Sequence, residues 1–146
     1  MGIGDFMTIK IADLNDIENL FELNKLMGNE TLKEEMEKNI KINDREIICI
    51  AYIGNIAVGY CTGLIIKSIC YKNSRLDIES LYVKEEYRKK GIGEALIKFL
   101  EKEAKIKNIL HFHIITDNNN GKAISLYKKL GYNITGEIFL DKTIIK

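Results

Sequence analysis

Apolar positions along the chain change period several times, and each change marks a predicted element. Met7, Ile9 and Ile11 alternate with polar residues, the pattern of a first strand. Asp13 or Asn15 then stands where a helix cap belongs. Leu14, Ile17, Leu20, Phe21 and Asn24 fall on one side of the helix that follows, and Gly28 stops it. A second, more polar helix is predicted from Thr31, with Glu34 as its capping-box partner and Met36 and Ile40 as its apolar positions. Arg45 to Ile53 and Ile56 to Ile66 are β-branched and apolar, and Gly54-Asn55 between them reads as a tight hairpin turn. A further strand is predicted from Ser74 to Val83.

An amphipathic helix follows from Gly91 to Lys105. It turns Ile92, Leu96, Phe99, Leu100 and Ala104 inward, and Glu94, Lys98, Glu101, Lys102 and Lys105 outward. Ile109 to Thr116 reads as a buried strand, Asn120 to Leu130 as a short helix closed by Gly131, and Tyr132 to Ile145 as two last strands. This order predicts a layered α/β (α+β) fold with a mixed sheet.

The chain has no proline and no low-complexity tract, so nothing marks a linker, and residues 1–146 are expected to form one domain. With 46% hydrophobic residues and a formal net charge of +1 from 22 basic and 21 acidic side chains, the composition excludes global disorder. It also argues against a dedicated nucleic-acid binder. No apolar run approaches the length of about 18 residues that crosses a membrane, so no membrane partner is expected. The start, Met1-Gly2-Ile3-Gly4-Asp5-Phe6, lacks the basic region and apolar core of a signal peptide, and Phe6 stands where a myristoylation signal needs Ser or Thr. Cys49, Cys61 and Cys70 are widely spaced in apolar stretches and read as reduced, buried thiols of a cytoplasmic protein. No C-x2-C pair suggests zinc, and His111 and His113, on one strand face, have no third ligand at metal spacing, so no metal is expected.

The segment from Leu81 to Leu96 carries the chemistry. A strand leads into a basic turn, Arg88-Lys89-Lys90-Gly91-Ile92-Gly93, which opens directly into a helix. Amides at a helix start point outward unpaired, the helix dipole adds partial positive charge, and glycine lets a ligand approach the backbone. A diphosphate cradle is therefore predicted. It is not a dinucleotide fingerprint, because Leu96 stands where the third glycine belongs. Nor is there a P-loop, since Gly131-x4-Gly136 is followed by Glu137.

Arg88-x-x-Gly91-x-Gly93, preceded by Leu81-Tyr82-Val83, resembles the acetyl-coenzyme A (acetyl-CoA) motif of the GNAT superfamily of N-acetyltransferases. Asn120-x-x-Ala123-Ile124-x-Leu126-Tyr127-x-x-Leu130-Gly131-Tyr132 resembles the family's second signature, at the usual separation. The resemblance is close over residues 74–136. It implies a mixed, mostly antiparallel sheet of six to seven strands with a central splay, flanked by four helices. It also implies that backbone amides of Lys89, Lys90, Gly91, Ile92 and Gly93 hold the pyrophosphate while Arg88 and the lysines balance its charge. Leu81, Tyr82 and Val83 would bind the pantetheine arm on a splayed strand, and Asn120 would contact the cofactor and cap its helix. Tyr127 would lie near the thioester sulfur and protonate the departing thiolate.

The attacking amine must be neutral, and a carboxylate can take its surplus proton. Asp77 and Glu79 alternate on the predicted strand, with Glu79 nearer the splay and therefore preferred. The expected activity is transfer of acetyl from acetyl-CoA to a primary amine, a small molecule or a protein N-terminus. A different class of function would be a non-catalytic acyl-CoA sensor, but such a binder has no need of both Tyr127 and a strand carboxylate. The apolar edge of the last predicted strands, ending Phe139-Leu140-Asp141-Lys142-Thr143-Ile144-Ile145-Lys146, would invite a homodimer.

Overall fold

The computed structural model describes residues 6–145, so the N-terminal segment read above as neither leader nor lipidation signal lies almost wholly outside the described residues. The chain forms two compact units, Met1–Ile115 and Thr116–Lys146. The first contains β1 (Met7–Ile11), α1 (Ile17–Met27), α2 (Lys33–Lys41), β2 (Glu46–Ile53), β3 (Ile56–Ile66), β4 (Arg75–Val83), α3 (Ile92–Ile106) and β5 (Phe112–Ile114). Its sheet runs in sequence order from β1 to β5, with three antiparallel pairings and a parallel β4–β5 pair. The second contains α4 (Gly121–Lys129). The expected mixed, mostly antiparallel α/β architecture with four α-helices is what forms.

Each early element follows from its local chemistry. Asp13 caps a short 3-10 turn, Leu14–Asp16, that leads into α1, and Gly28 ends that helix at φ +106°. Gly54 takes φ +59° in the β2–β3 hairpin. Leu20 and Leu23 of α1 pack on Ile50, Ala57 and Tyr60 of the sheet, with Met36 and Ile40 of α2 at the edge of the same cluster. Leu96, Ile97 and Leu100 of α3 are fully buried. At Gly59 a Cβ would stand 2.7 Å from the Tyr82 carbonyl oxygen and 3.3 Å from Leu96 Cδ1, so β3, β4 and α3 can meet only over glycine.

Asp16 locks β1 to β2. Its carboxylate accepts hydrogen bonds from Tyr52 Oη at 2.7 Å and the Asp13 amide at 2.9 Å, and pairs with Lys10 Nζ at 2.9 Å. Burial pushes this carboxyl up, but the bonds from Tyr52, Asp13 and Lys10 outweigh it and hold the group below its ordinary range. Asp16→Ala is expected to cost about 1–3 kcal/mol by stranding its buried partners. Because the folded value is depressed, the ionised Asp16 stabilises the fold above the ordinary carboxyl range, and that contribution fades as pH falls through the folded value. Urea denaturation should find the gap between parent and variant wide at neutral pH and narrowed in strong acid.

Several expectations are corrected. The sheet has five strands, not six or seven, because residues 132–145 form no strand among the described residues. Their apolar side chains, Ile138, Phe139, Leu140, Ile144 and Ile145 among them, are exposed. Alternation alone makes no strand without a ladder partner, and the edge from which a homodimer was expected is therefore not a strand edge. The buried strand expected from Ile109 to Thr116 shrinks to Phe112–Ile114, with Leu110 and Ile115 exposed. In α1, Leu14 is exposed within the preceding turn and Leu23 is buried instead. Similarly, α3 buries Ile97 more completely than Phe99. The α2 cap falls one residue later than read: the Leu32 amide donates to Glu35, so Thr31 and Glu34 do not form the box. Cys49 and Cys61 are buried, whereas Cys70 is exposed in the turn after β3.

Candidate active site

The basic turn has the backbone of a cradle. After a 3-10 turn at Glu85–Tyr87, Lys89 adopts φ +62° and Gly91 φ +81°, two left-handed positions that swing the chain into α3. Gly91 occupies the cap position, and among the described residues no side chain caps the helix and a Cβ added at Gly91 would meet nothing within 4 Å. Uncapped first-turn amides, open space above the glycine and the helix dipole together suit an anionic group. Arg88 and Lys89 are exposed, as is Lys90, whose Nζ lies 5.8 Å from the centre of the Tyr87 ring. Arg88 also fastens the turn to the strand: its Nε donates to the Val83 carbonyl at 2.8 Å, and its guanidinium carbon lies 5.5 Å from the Tyr82 ring centroid.

The strand before the turn is splayed. β5 pairs with β4 only at Leu76, Asp77 and Ile78. From Glu79 through Leu81, Tyr82 and Val83, β4 is laddered to β3 alone, leaving its other edge without a strand partner among the described residues. The β3–β4 register jumps from Thr62 opposite Ser80 to Gly63 opposite Ile78, so Glu79 is the extra residue of a bulge.

Around that bulge the two carboxylates expected to share a face have different surroundings. Asp77 is half-buried, bound to Arg75 Nε at 2.8 Å and 3.7 Å from His113 Nδ1. Glu79 is exposed at the splay and has no ion pair among the described residues. His111 and His113 bring their Nε2 atoms to 2.9 Å at the partly exposed start of β5.

Beside the bulge lies a cleft of about 180 Å³ walled by α1, α2, the start of β2 and the middle of β3, with Ser80 on its β4 side. Thr31, Asn39, Tyr60, Thr62 and Ser80 give it neutral polar groups, and among the described residues Glu46 is the only charged one lining it. Burial pushes the Glu46 carboxyl up and Glu79 adds to the rise, while the Thr62 hydroxyl opposes it. Burial likewise raises Tyr60. Glu46 was missing from the sequence reading. It follows Asn43, Asp44 and Arg45, so it looks like the end of a solvated turn, and its neighbours Thr62 and Ser80 come from other strands.

In the second unit, the Asn120 side chain accepts from the Ala123 amide at 3.2 Å and so caps α4 as expected. Gly131, at φ +96°, closes the helix, and the Tyr132 amide reaches the Tyr127 carbonyl at 2.9 Å. Tyr127 is half-buried, its ring edge-on to Tyr132 with centroids 6.1 Å apart.

The family model described as Acetyltransferase (GNAT) family matches residues 14–132. A streptothricin acetyltransferase of Escherichia coli is 35% identical over 72 residues, 49% of this chain and 41% of that protein. A thialysine N-epsilon-acetyltransferase of Sus scrofa is 37% identical over 78 residues, 53% of this chain and 45% of that protein. The matched part thus spans less than half the length of either relative. An aminoglycoside acetyltransferase from an uncultured soil metagenomic sample, in complex with sisomicin, superposes with a TM-score of 0.87 at 18% identity, covering 99% of both chains. An aminoglycoside N-acetyltransferase in complex with CoA gives 0.82 at 17% identity, covering 94% of both. These two structures show the same fold.

Proposed function

The chain belongs to the acetyltransferase (GNAT) family, and we propose that it transfers acetyl from acetyl-CoA to the primary amine of a small molecule. The observation that carries this reading is the continuous path from the open β4 edge, across the left-handed turn at Lys89 and Gly91, to the uncapped start of α3. It offers backbone donors for a pantetheine arm and then an open, positively charged seat for a pyrophosphate. The neighbouring fold whose structure holds CoA supports the same donor. The relatives named for streptothricin and thialysine, and the structure holding sisomicin, support a small amine acceptor. Residues 1–146 are read as one acetyltransferase domain, supported by the family match, which takes in residues of both units.

Acetyl-CoA supplies a thioester carbonyl that a neutral amine can attack. In the proposed roles, Glu79 accepts the amine's surplus proton and Tyr127 donates its phenolic proton to the departing sulfur. The C–N bond forms, the C–S bond breaks, and the two proton transfers leave acetamide and free thiol. Asp77, already bound to Arg75, is the weaker candidate for the proton. Leu81 to Val83, Arg88 to Gly93 and Asn120 hold the cofactor.

Thiol release measured across a panel of small amines and a peptide N-terminus tests the reading, with product masses confirming acetamide. Release with a small amine is expected. Acetylation of the peptide alone would point to a protein N-terminus as acceptor, and cofactor binding without release to a sensor. The seat has its own test. Gly91→Val places a branched side chain in space that no described residue fills around the Cβ, so calorimetry should show acetyl-CoA affinity lowered roughly ten-fold or more, with left-handed strain of about 1–2 kcal/mol at that residue. Parental affinity would mean that the pyrophosphate sits elsewhere.

A further inference from the structure

Within the acetyl-transfer reading, on which this inference rests, we propose that Glu46 anchors a second ammonium group of the acceptor, so that preferred acceptors are small diamines or molecules bearing an aminoalkyl arm. Among the described residues, the cleft beside the β4 bulge offers one carboxylate and otherwise hydroxyl, amide and apolar groups. Of the described residues lining it, a ligand meets one negative charge and no positive one. No lysine or arginine among the described residues pairs with Glu46, although other half-buried carboxylates here have such partners, Asp77 in Arg75 and Glu94 in Lys98. An acidic group kept in a cleft without a counter-ion is costly to ionise, and a bound cation offsets that cost. The raised affinity of Glu46 for its proton is the sign of that unmet charge.

Size narrows the class further. At about 180 Å³ the cleft is smaller than the roughly 300–1,000 Å³ that encloses a drug-sized ligand. It takes an alkyl arm with a terminal nitrogen and not a whole polycyclic acceptor. Ser80 lines the cleft and is the residue after Glu79, the bulged residue at the splay. An arm seated on Glu46 therefore runs toward the strand edge where the thioester is placed in the proposed reaction. Thr62, between the two on β3, can share the ammonium's hydrogens. The hydroxyls of Ser80 and Tyr60 can hydrogen-bond along the arm without competing for the charge.

Two measurements test this. The first compares kcat/KM for diaminopropane, diaminobutane and diaminopentane with the monoamines of equal chain length. The parent is expected to favour at least one diamine roughly 10- to 100-fold, the range of a hydrogen bond to a charged partner. In Glu46→Gln the ratio should collapse towards one, chiefly through KM, and Glu46→Asp should restore part of it, with thermal denaturation confirming that each variant folds. The second measures calorimetric binding of the favoured diamine to the protein without turnover, which Glu46→Gln should weaken similarly. Equal ratios in parent and variants, or no diamine preference in the parent, overturn the anchor while leaving acetyl transfer intact. Diamine binding that depends on Glu46, with no acetyl transfer to any amine, keeps the anchor and overturns the transfer reading instead.

Discussion

Replacing Tyr127 by phenylalanine is expected to lower turnover roughly 10²–10⁴-fold, the usual contribution of a positioned proton donor. The substitution removes one oxygen and keeps the ring. The edge-on contact with Tyr132 should persist, as should the backbone closure of α4 by Tyr132 and Gly131. Acetyl-CoA affinity should therefore stay near the parental value while kcat falls. A thiolate leaving without a donor departs as the anion, so the defect should shrink with an acyl donor whose thiol is more acidic. Parental turnover in Tyr127→Phe would remove the residue from the chemistry.

Glu79→Gln should show a loss of similar size with a different signature. An alkylamine is almost wholly protonated at neutral pH, its ordinary pKa being about 10.4. The enzyme must therefore remove a proton that the solution rarely removes by itself. Raising the pH from about 6.5 to about 9 supplies neutral amine from solvent and should recover part of the Glu79→Gln deficit. The Tyr127→Phe deficit should show no such rescue, because raising the pH frees more amine but supplies no proton to the departing sulfur. A Glu79→Gln deficit that stays constant across that range would move the proton-acceptor role to another group, and Asp77→Asn would then be examined on the same axis. Asp77 starts from a different position, since Arg75 holds its carboxylate in an ion pair and Glu79 has none among the described residues.

The contrast between the two carboxylates shows what the sequence makes readable. Alternation read Asp77 and Glu79 on one face and Ile78 and Ser80 on the other, but Ile78 and Ser80 pair with the adjacent β3 residues Gly63 and Thr62, so the bulge interrupts the period of two between them. Nothing in Asp77-Ile78-Glu79-Ser80 announces the extra residue, because the register is set by pairing with a strand more than ten residues earlier. Local features fared better. Gly54-Asn55, Gly28 and Gly131 mark left-handed backbone or tight turns, and the structure puts positive φ at each of these glycines. Asn120 caps α4 and Gly91 stands at the start of α3 for reasons confined to a few neighbouring residues.

Glu46 was illegible for the opposite reason. Its surroundings are assembled from four other elements, so the residues that make it a lone charge in a cleft are scattered from Leu20 to Ser80. The last apolar stretch misled because Ile134, Ile138, Leu140 and Ile144 have the composition of strands without a ladder to join.

The most direct test follows the acetyl group itself. Acetyl-CoA labelled in its acetyl carbons should be mixed with the parent protein and a short diamine, and both protein and small molecules analysed by mass spectrometry during the first turnovers. Direct transfer predicts labelled monoacetylated diamine appearing with free thiol in equal amounts, and no label on the protein at any time. Intact acetyl-CoA bound to the protein, with neither labelled amine nor thiol formed across the amine panel, would contradict the account.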